Sequence, residues 1–239
     1  MFSQTEIIVL NYTKYSESSI IVHSLTKKHG RQSIIVYGIG GKRKNKLGFF
    51  QPLNLLETQL YYKPNSSLQK IKEFKLATPL FNIPHEIGKS ALALFISEIL
   101  YRSIKEEFAD ERLFDFVKTS ILILEEITLG LPYFHVAFMV KLAKQLGFMS
   151  DEPILSGYYD YKENVATDLK PSHEYFLKKE DQNLLISLLE RPYSELQNFN
   201  LTGNQRDKLL DSVVKLFELH LLNINSLRSY LVLKEVFSD

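Results

Sequence analysis

Residues 5–37 read TEIIVLNYTKYSESSIIVHSLTKKHGRQSIIVY, and this stretch decides the fold. It holds three apolar runs rich in β-branched and aromatic residues, broken by Asn, Ser, Lys and Gly, the composition of short strands joined by tight turns. Strands are expected over residues 5–12, 18–25 and 32–37. The break Lys27-Lys28-His29-Gly30 predicts a turn in which Gly30 takes a positive φ that a side chain resists. A fourth strand is expected near 52–62 and a fifth near 68–76, with Pro64-Asn65-Ser66-Ser67 turning between them. Five short strands in roughly 75 residues fit a small barrel, and the oligonucleotide-binding (OB) fold is the commonest five-stranded kind. An SH3-like barrel competes with it, and periodicity does not separate the two.

After Pro79 and Pro84 the pattern turns helical. Ala91, Leu94, Phe95, Glu98 and Ile99 form one stripe; Leu113, Phe116, Val117, Ser120, Ile121 and Leu124 form a second. Phe134, Phe138, Leu142 and Leu146 form a third, ended by Gly147 as a C-cap. Segment 150–178 is weakly patterned and is expected to be an irregular insert. Helices resume over 181–190, 205–222 and 225–237, with Thr202 in the cap region of the second. The expected fold class is α+β: a five-stranded OB-fold barrel over 1–80, then an all-helical domain over 81–239.

Charge divides the chain at the same place. Its 239 residues carry a net +1, but residues 1–80 hold 12 Lys/Arg against 4 Asp/Glu, which is +8. Residues 81–239 hold 17 against 24, which is −7. The first part attracts a polyanion and the second repels one. With no cysteine there are no disulfides and no thiolate metal sites. Glu6 sits where a secretory leader would need a basic and then apolar run, so no leader is expected. The longest apolar run, around 92–100, is interrupted by Ser97 and Glu98, far short of the roughly 20 residues of a membrane span. A cytoplasmic protein is expected.

The sharpest local feature is Gly38-Ile39-Gly40-Gly41-Lys42-Arg43-Lys44-Asn45-Lys46, between the third and fourth strands. Its glycines predict a mobile loop, and its four cations bind phosphates by charge and counterion release without reading sequence. Lys14, Lys27, Lys28 and Arg31 fall at nearby strand ends and turns and are expected to extend the same phosphate-binding track. Tyr12, Tyr37, Phe49, Phe50, Tyr61 and Tyr62 interleave with them, and aromatic faces stack on unpaired bases. By itself the run over 42–46 reads equally well as a solvated loop; the +8 of the whole half favours a polyanion partner. Any one of Tyr12, Tyr37 or Phe50 is more often core than platform, and the sequence does not choose among them. A basic barrel also suits RNA or an acidic protein partner.

The motifs of covalent chemistry are missing. A P-loop needs a glycine at Val36 and a hydroxyl at Arg43, and the dinucleotide fingerprint needs a glycine at Arg43. His85-Glu86 and His173-Glu174 do not continue to a second histidine, and no two of the six histidines stand at i, i+4. Glu106-Glu107 and Glu125-Glu126 are adjacent, and adjacent helical residues point apart. No enzyme is expected, and no cofactor.

Thr5 to Gly30, with its Tyr15-Ser16-Glu17 turn and its Thr26 and Gly30, resembles the opening of the RecO family of recombination mediators. SIIVYGIGGKRKNKLGFFQPLNLLE (residues 33–57) is similar to that family's third strand, basic loop and entry to the next strand. SALALFISEILYRSIKEE, FHVAFMVKLAKQLGF and SLRSYLVLKEVF resemble its helices. The similarity spans nearly the whole chain and is nearest to Bacteroidetes-type members. It implies an OB-fold followed by a helical domain, binding of single- and duplex DNA, and strand annealing. It also implies loading of RecA onto DNA coated by single-strand DNA-binding protein (SSB), with RecR and in many bacteria RecF. Contact with the acidic C-terminal tail of SSB is implied as well, with Lys141, Lys144 and Arg102 as candidate helix cations. The implied DNA-binding residues are Lys42, Arg43, Lys44 and Lys46. Many members carry a four-cysteine zinc motif that would fall within 150–175. Here Tyr158, Tyr159, Tyr161, Tyr175 and Phe176 stand in its place, and no metal is expected.

Overall fold

The computed structural model describes residues 1–39, 41–105, 108–149, 157–163, 165–221 and 227–237, and of residues 41–45 the backbone alone. The chain divides into two compact units, Met1–Glu125 and Glu126–Asp239.

In the first unit five strands, β1 (Phe2–Ser16), β2 (Ser19–Thr26), β3 (Gly30–Tyr37), β4 (Leu55–Tyr61) and β5 (Gln69–Thr78), close a barrel in the order β1-β2-β3-β5-β4. Every neighbour is antiparallel except β3 and β5, which meet in parallel through Ile34↔Gln69 and Ile35↔Lys70. This is the OB-like closure, and it decides the barrel type that periodicity left open. Gly30 takes a φ of 61° at the β2–β3 turn, as its place in the sequence requires.

β1 is longer than its apolar run because it serves two neighbours. Phe2 to Ile8 pair with β4 and Ile7 to Ser16 with β2, with register shifts after Val9 and Lys14. The polar ends lack strand propensity, so the run alone understates the strand. Ile7, Val9, Ile20, Val22, Ile34 and Val36 fill the barrel with Leu56 and Leu60, each stabilising by about 1.5–3 kcal/mol. Ile8 and Leu10 are buried too, for α2 (Ile87–Ser103) packs on β1. Burial on both faces explains unbroken apolar runs where a half-exposed strand would alternate.

From Gly41 on, the glycine-rich segment is not an irregular loop: Gly41–Phe50 forms a 3-10 helix. Its C-terminal end is anchored by fully buried Phe50 and by Leu47 and Phe49 packed on the barrel core. The Asn54 side-chain amide donates to the carbonyls of Gly48 (3.0 Å) and Phe49 (3.1 Å), satisfying the helix end. Leu53, at φ 66°, is held in the left-handed region by its complete burial and by an N–H bond to the Val9 carbonyl (2.7 Å).

The helices of this unit are α1 (Asn82–His85), α2 and α3 (Glu111–Glu126). α2 is buried over a wider arc than its expected stripe. Leu92, Ile96 and Leu100 are inside, while Leu94 is exposed. The Glu125 side chain of α3 accepts N–H bonds from Phe81 and Asn82 (both 2.6 Å) and Ile83 (2.9 Å) at the start of α1. Burial alone would raise the pKa of Glu125; these donors and the Lys89 ammonium outweigh it and hold the carboxyl below its usual range. Lys89, itself buried, donates to the Glu125 carbonyl (2.7 Å) and pairs with Glu86 (3.2 Å).

In the second unit α4 (Leu131–Gln145) is the central helix, contacted by α5 (Lys179–Glu190), a 3-10 helix (Tyr193–Asn198) and α6 (Gly203–His220). Phe134, Phe138 and Leu142 are buried as their stripe predicts, and Gly147 past the end has φ 73°. Gly130, at the N-cap of α4 with φ 77°, has no room for a side chain: a Cβ would lie 2.7 Å from the Gln197 nitrogen. Thr202 and Gln205 form a reciprocal capping box on α6. The segment read as an irregular insert carries a three-stranded antiparallel sheet of β6 (Tyr158–Asp160), β7 (Val165–Thr167) and β8 (Phe176–Lys178), in the order β7-β6-β8. Three-residue strands are too short to show a period. α7 (Arg228–Val236) ends where buried Arg206 donates to the Phe237 carbonyl.

His135 of α4 is buried, and burial, reinforced by the Arg206 cation, pulls its pKa down to about 3. The unfolded chain protonates this histidine near 6.5 and the folded chain does not, so acid favours unfolding between those values. His135→Phe is expected to lose less stability than the parent between pH 7 and pH 5, by about 2 kcal/mol. Urea midpoints at the two pH values measure it, and equal losses in both proteins would refute it.

Candidate nucleic-acid interface

The cations of the barrel have different surroundings. Lys14 lies exposed on β1, opposite Ile20 of β2. Lys28 is exposed at the β2–β3 turn. Lys27 beside it places Nζ 2.9 Å from the Asp115 carboxylate on α3, a hydrogen bond that raises the lysine's pKa. Arg31 donates to the Ile104 carbonyl (2.7 Å), just past α2, and lies 4.4 Å over the Tyr101 ring. Lys27 and Arg31 therefore join barrel to helices. Lys46 Nζ lies 5.9 Å over the Phe74 ring, beside the packed Phe49 and Phe50. The side chains of Lys42, Arg43 and Lys44 lie outside the described residues; their backbone belongs to the 3-10 helix. Arg31→Ala is expected to cost about 1–3 kcal/mol of stability through the abandoned Ile104 carbonyl and the lost ring contact. Its urea midpoint should fall, whereas a surface phosphate contact would leave it in place.

The aromatics divide sharply. Phe50 is core, and Tyr12 and Phe49 pack against the core. Tyr62 stacks on His29 at 3.7 Å, and that histidine's Nε2 is 2.7 Å from Ser3 Oγ. Tyr37 and Tyr61 remain, 56% and 40% exposed, joined by Phe2 at 54%, a residue that sequence reasoning passed over. Strand register brings them together: Phe2 pairs with Tyr61, Tyr61 with Lys70, and Lys70 with Ile35, two residues before Tyr37. Phe2 and Tyr61 have centroids 4.8 Å apart. Lys70 Nζ sits 5.4 Å from the Tyr37 centroid and 5.8 Å from that of Tyr61, and Lys72 Nζ sits 4.8 Å from that of Phe2. Lys70 and Lys72 were also missed, since isolated lysines form no run. The alternation Lys70-Ile71-Lys72, with Ile71 turned into the core, was the available signal. Lys70 makes no ion pair among the described residues, whereas Lys72 donates to Gln59 (2.9 Å) and lies 3.6 Å from Glu73.

The turn beside this face is fixed by Gln69. Its buried amide accepts from the Lys63 N–H (2.9 Å) and donates to the carbonyls of Lys63 (3.0 Å) and Ser66 (2.8 Å). A separate open cleft of about 440 Å³ is lined by Glu6, Lys27, Glu57, Glu73 and Lys75 among others. Lys27 is neutralised there by Asp115, and Lys75 by Glu57 at 2.8 Å, so the cleft is a weak anion site.

Of the helix cations, Arg102 is paired with Glu98 at 2.7 Å. Lys141 donates to the carbonyls of Leu189 and Arg191, at the C-terminal end of α5. Burial lowers its pKa, and Lys144 adds to the effect.

The small sheet does not offer a zinc donor set. The chain has no cysteine, and no group of three His, Asp or Glu converges among the described residues. Asp160 and His173 instead pair with each other at 3.0 Å, while Asp160 accepts the N–H groups of Lys162 (2.9 Å) and Glu163 (3.1 Å). Tyr159 and Tyr161 are buried edge to face, and Tyr158 meets Phe176 in the same way. Among the described residues no helix is long and apolar enough to cross a membrane.

A closed, OB-like five-stranded barrel leading into a helical C-terminal region defines the class of protein. Residues 1–80 match the family model "Recombination protein O N terminal" and residues 84–229 match "Recombination protein O C terminal". The chain belongs to the RecO family of DNA repair proteins. It is 34% identical to the DNA repair protein RecO of Bacteroides fragilis, over 99% of this chain and 100% of that protein. It is 32% identical to the RecO of Phocaeicola vulgatus over all of both chains. The RecO of Flavobacterium psychrophilum is 32% identical over 98% of this chain and 99% of its own length.

Proposed function

We propose that this chain binds single-stranded DNA, and duplex DNA less selectively, through residues 1–80. On this reading it anneals complementary strands and, with RecR, helps load RecA onto SSB-coated DNA. The observation that carries the reading is the charge division, +8 on the barrel half against −7 on the helical half, in a RecO-family chain. Phosphates gather on the first, and strand charge is neutralised there so that two strands can approach. The second is a protein-docking region, suited to RecR, to RecF and to the tail of SSB. No residue pattern for covalent chemistry accompanies it, so the role is recruitment rather than turnover, carried out in the bacterial cytoplasm at the nucleoid.

About 4–6 phosphate contacts predict a log–log salt slope for single-strand binding of about −3 to −4. Competition of labelled single-stranded DNA against RNA and against an acidic peptide tests the polyanion's identity, and annealing of SSB-coated complementary strands tests the role. An affinity indifferent to salt, or RNA or peptide outcompeting DNA, would overturn the reading.

A further inference from the structure

We propose that the outer face of the barrel where β1, β4, β5 and β3 lie side by side is a base-stacking platform for unpaired DNA bases. Tyr37 and the Phe2–Tyr61 pair form the stacking surfaces, and Lys70 and Lys72 are the phosphate contacts. The inference rests on the reading of the barrel as a DNA-binding domain and adds which part of the strand this face grips.

Phe2 and Tyr61 stand exposed in one cross-strand row and Tyr37 two residues along β3 from the row's end, three exposed rings on one face of a barrel that covers outward apolar residues such as Ile8, Leu10 and Ile35. Core formation does not explain them. The lysine ammonium groups lie against the ring faces, at 4.8–5.8 Å from the centroids, where the π-cloud is negative. A planar base can take the same faces. Lys70 makes no ion pair among the described residues, so the strand's own phosphate, arriving with the base, is an anion it can take. Lys63, exposed in the turn that Gln69 holds, extends the positive edge. Lys70 stands between Tyr37 and Tyr61, so the row offers two stacking positions on either side of one cation. Duplex DNA keeps its base faces inside its own stack and presents none to the rings. The platform therefore selects single strands, whereas the cations alone do not.

The chain contains no tryptophan, so Tyr61→Trp installs a single indole in the row. The probes are a thymidine oligonucleotide and an abasic strand of equal length and charge. The indole emission is expected to be quenched by the first and not the second. Wild-type protein is expected to bind the thymidine strand about tenfold or more tighter than the abasic one at matched salt. The triple variant Phe2→Ala, Tyr37→Ala, Tyr61→Ala should erase that ratio while keeping the salt slope, and Tyr37→Phe with Tyr61→Phe should restore it. Equal affinity of the wild type for both strands, or an unquenched indole, overturns the platform and leaves polyanion binding standing. Binding of neither strand at low salt overturns the DNA-binding reading itself, and the platform with it. A uridine oligonucleotide preferred to the thymidine one would reassign the platform to RNA.

Discussion

Replacing Lys42, Arg43, Lys44 and Lys46 together by alanine is expected to weaken single-strand DNA binding about 100-fold at 0.1 M salt, alike for all sequences. Each phosphate contact contributes about 0.7 to the log–log salt slope for single strands, so the slope should become shallower by up to about 2.8. Stability should hardly change, because Leu47, Phe49 and Phe50 anchor the far end of the 3-10 helix on the barrel core and are left in place. Fluorescence anisotropy across a salt series, with a urea melt alongside, reads both quantities. An unaltered slope would move the phosphate contacts off this segment and toward Lys70, Lys72 and Lys63.

Glu125→Ala is expected to cost the fold about 3–5 kcal/mol. The change strands the N–H groups of Phe81, Asn82 and Ile83 and removes a negative charge that the buried Lys89 helps to stabilise. Glu125→Gln keeps the shape but turns an NH₂ toward donors, and should cost less. The acid dependence follows from the lowered pKa. The folded carboxyl stays ionised where the unfolded one takes a proton, so its contribution is complete above about pH 4.5 and fades as pH falls through the folded value. Parent protein should therefore lose stability between pH 5 and pH 3.5 more steeply than Glu125→Gln. Identical pH profiles would show that Glu125 is not ionised in the native state.

The barrel was legible in the sequence because its first three strands carry unbroken apolar runs and its turns carry Gly30 and Pro64, signals that need no tertiary context. The closure was not, since β3 and β5 share only two register pairs and neither announces a parallel partner. The helical stripes were legible in period and less so in breadth. α2 is buried widely because β1 lies against it, and Leu94, which fits the stripe, is exposed. The candidate interface was legible as charge and only partly as geometry. Lys27 and Arg31 look like free cations in the chain, yet they spend their donors on Asp115 and the Ile104 carbonyl. Tyr37 and Tyr61 were named among six aromatics that sequence could not rank. What ranks them is their exposure, the register that sets Tyr61 against Phe2, 59 positions away, and Lys70 lying between Tyr61 and Tyr37.

The two-pair ladder between β3 and β5 has a further consequence. It is the seam at which the cylinder opens with the fewest bonds broken, so the amides of Ile35 and Lys70 should exchange with solvent sooner than those of the β1–β2 ladder. Tyr37 and Lys70 stand on opposite lips of that seam. A strand seated across them rivets the lips together, and by linkage each bound strand slows exchange there and raises the melting temperature of the barrel. The seam is thus both the least protected part of the sheet and the part whose protection reports occupancy.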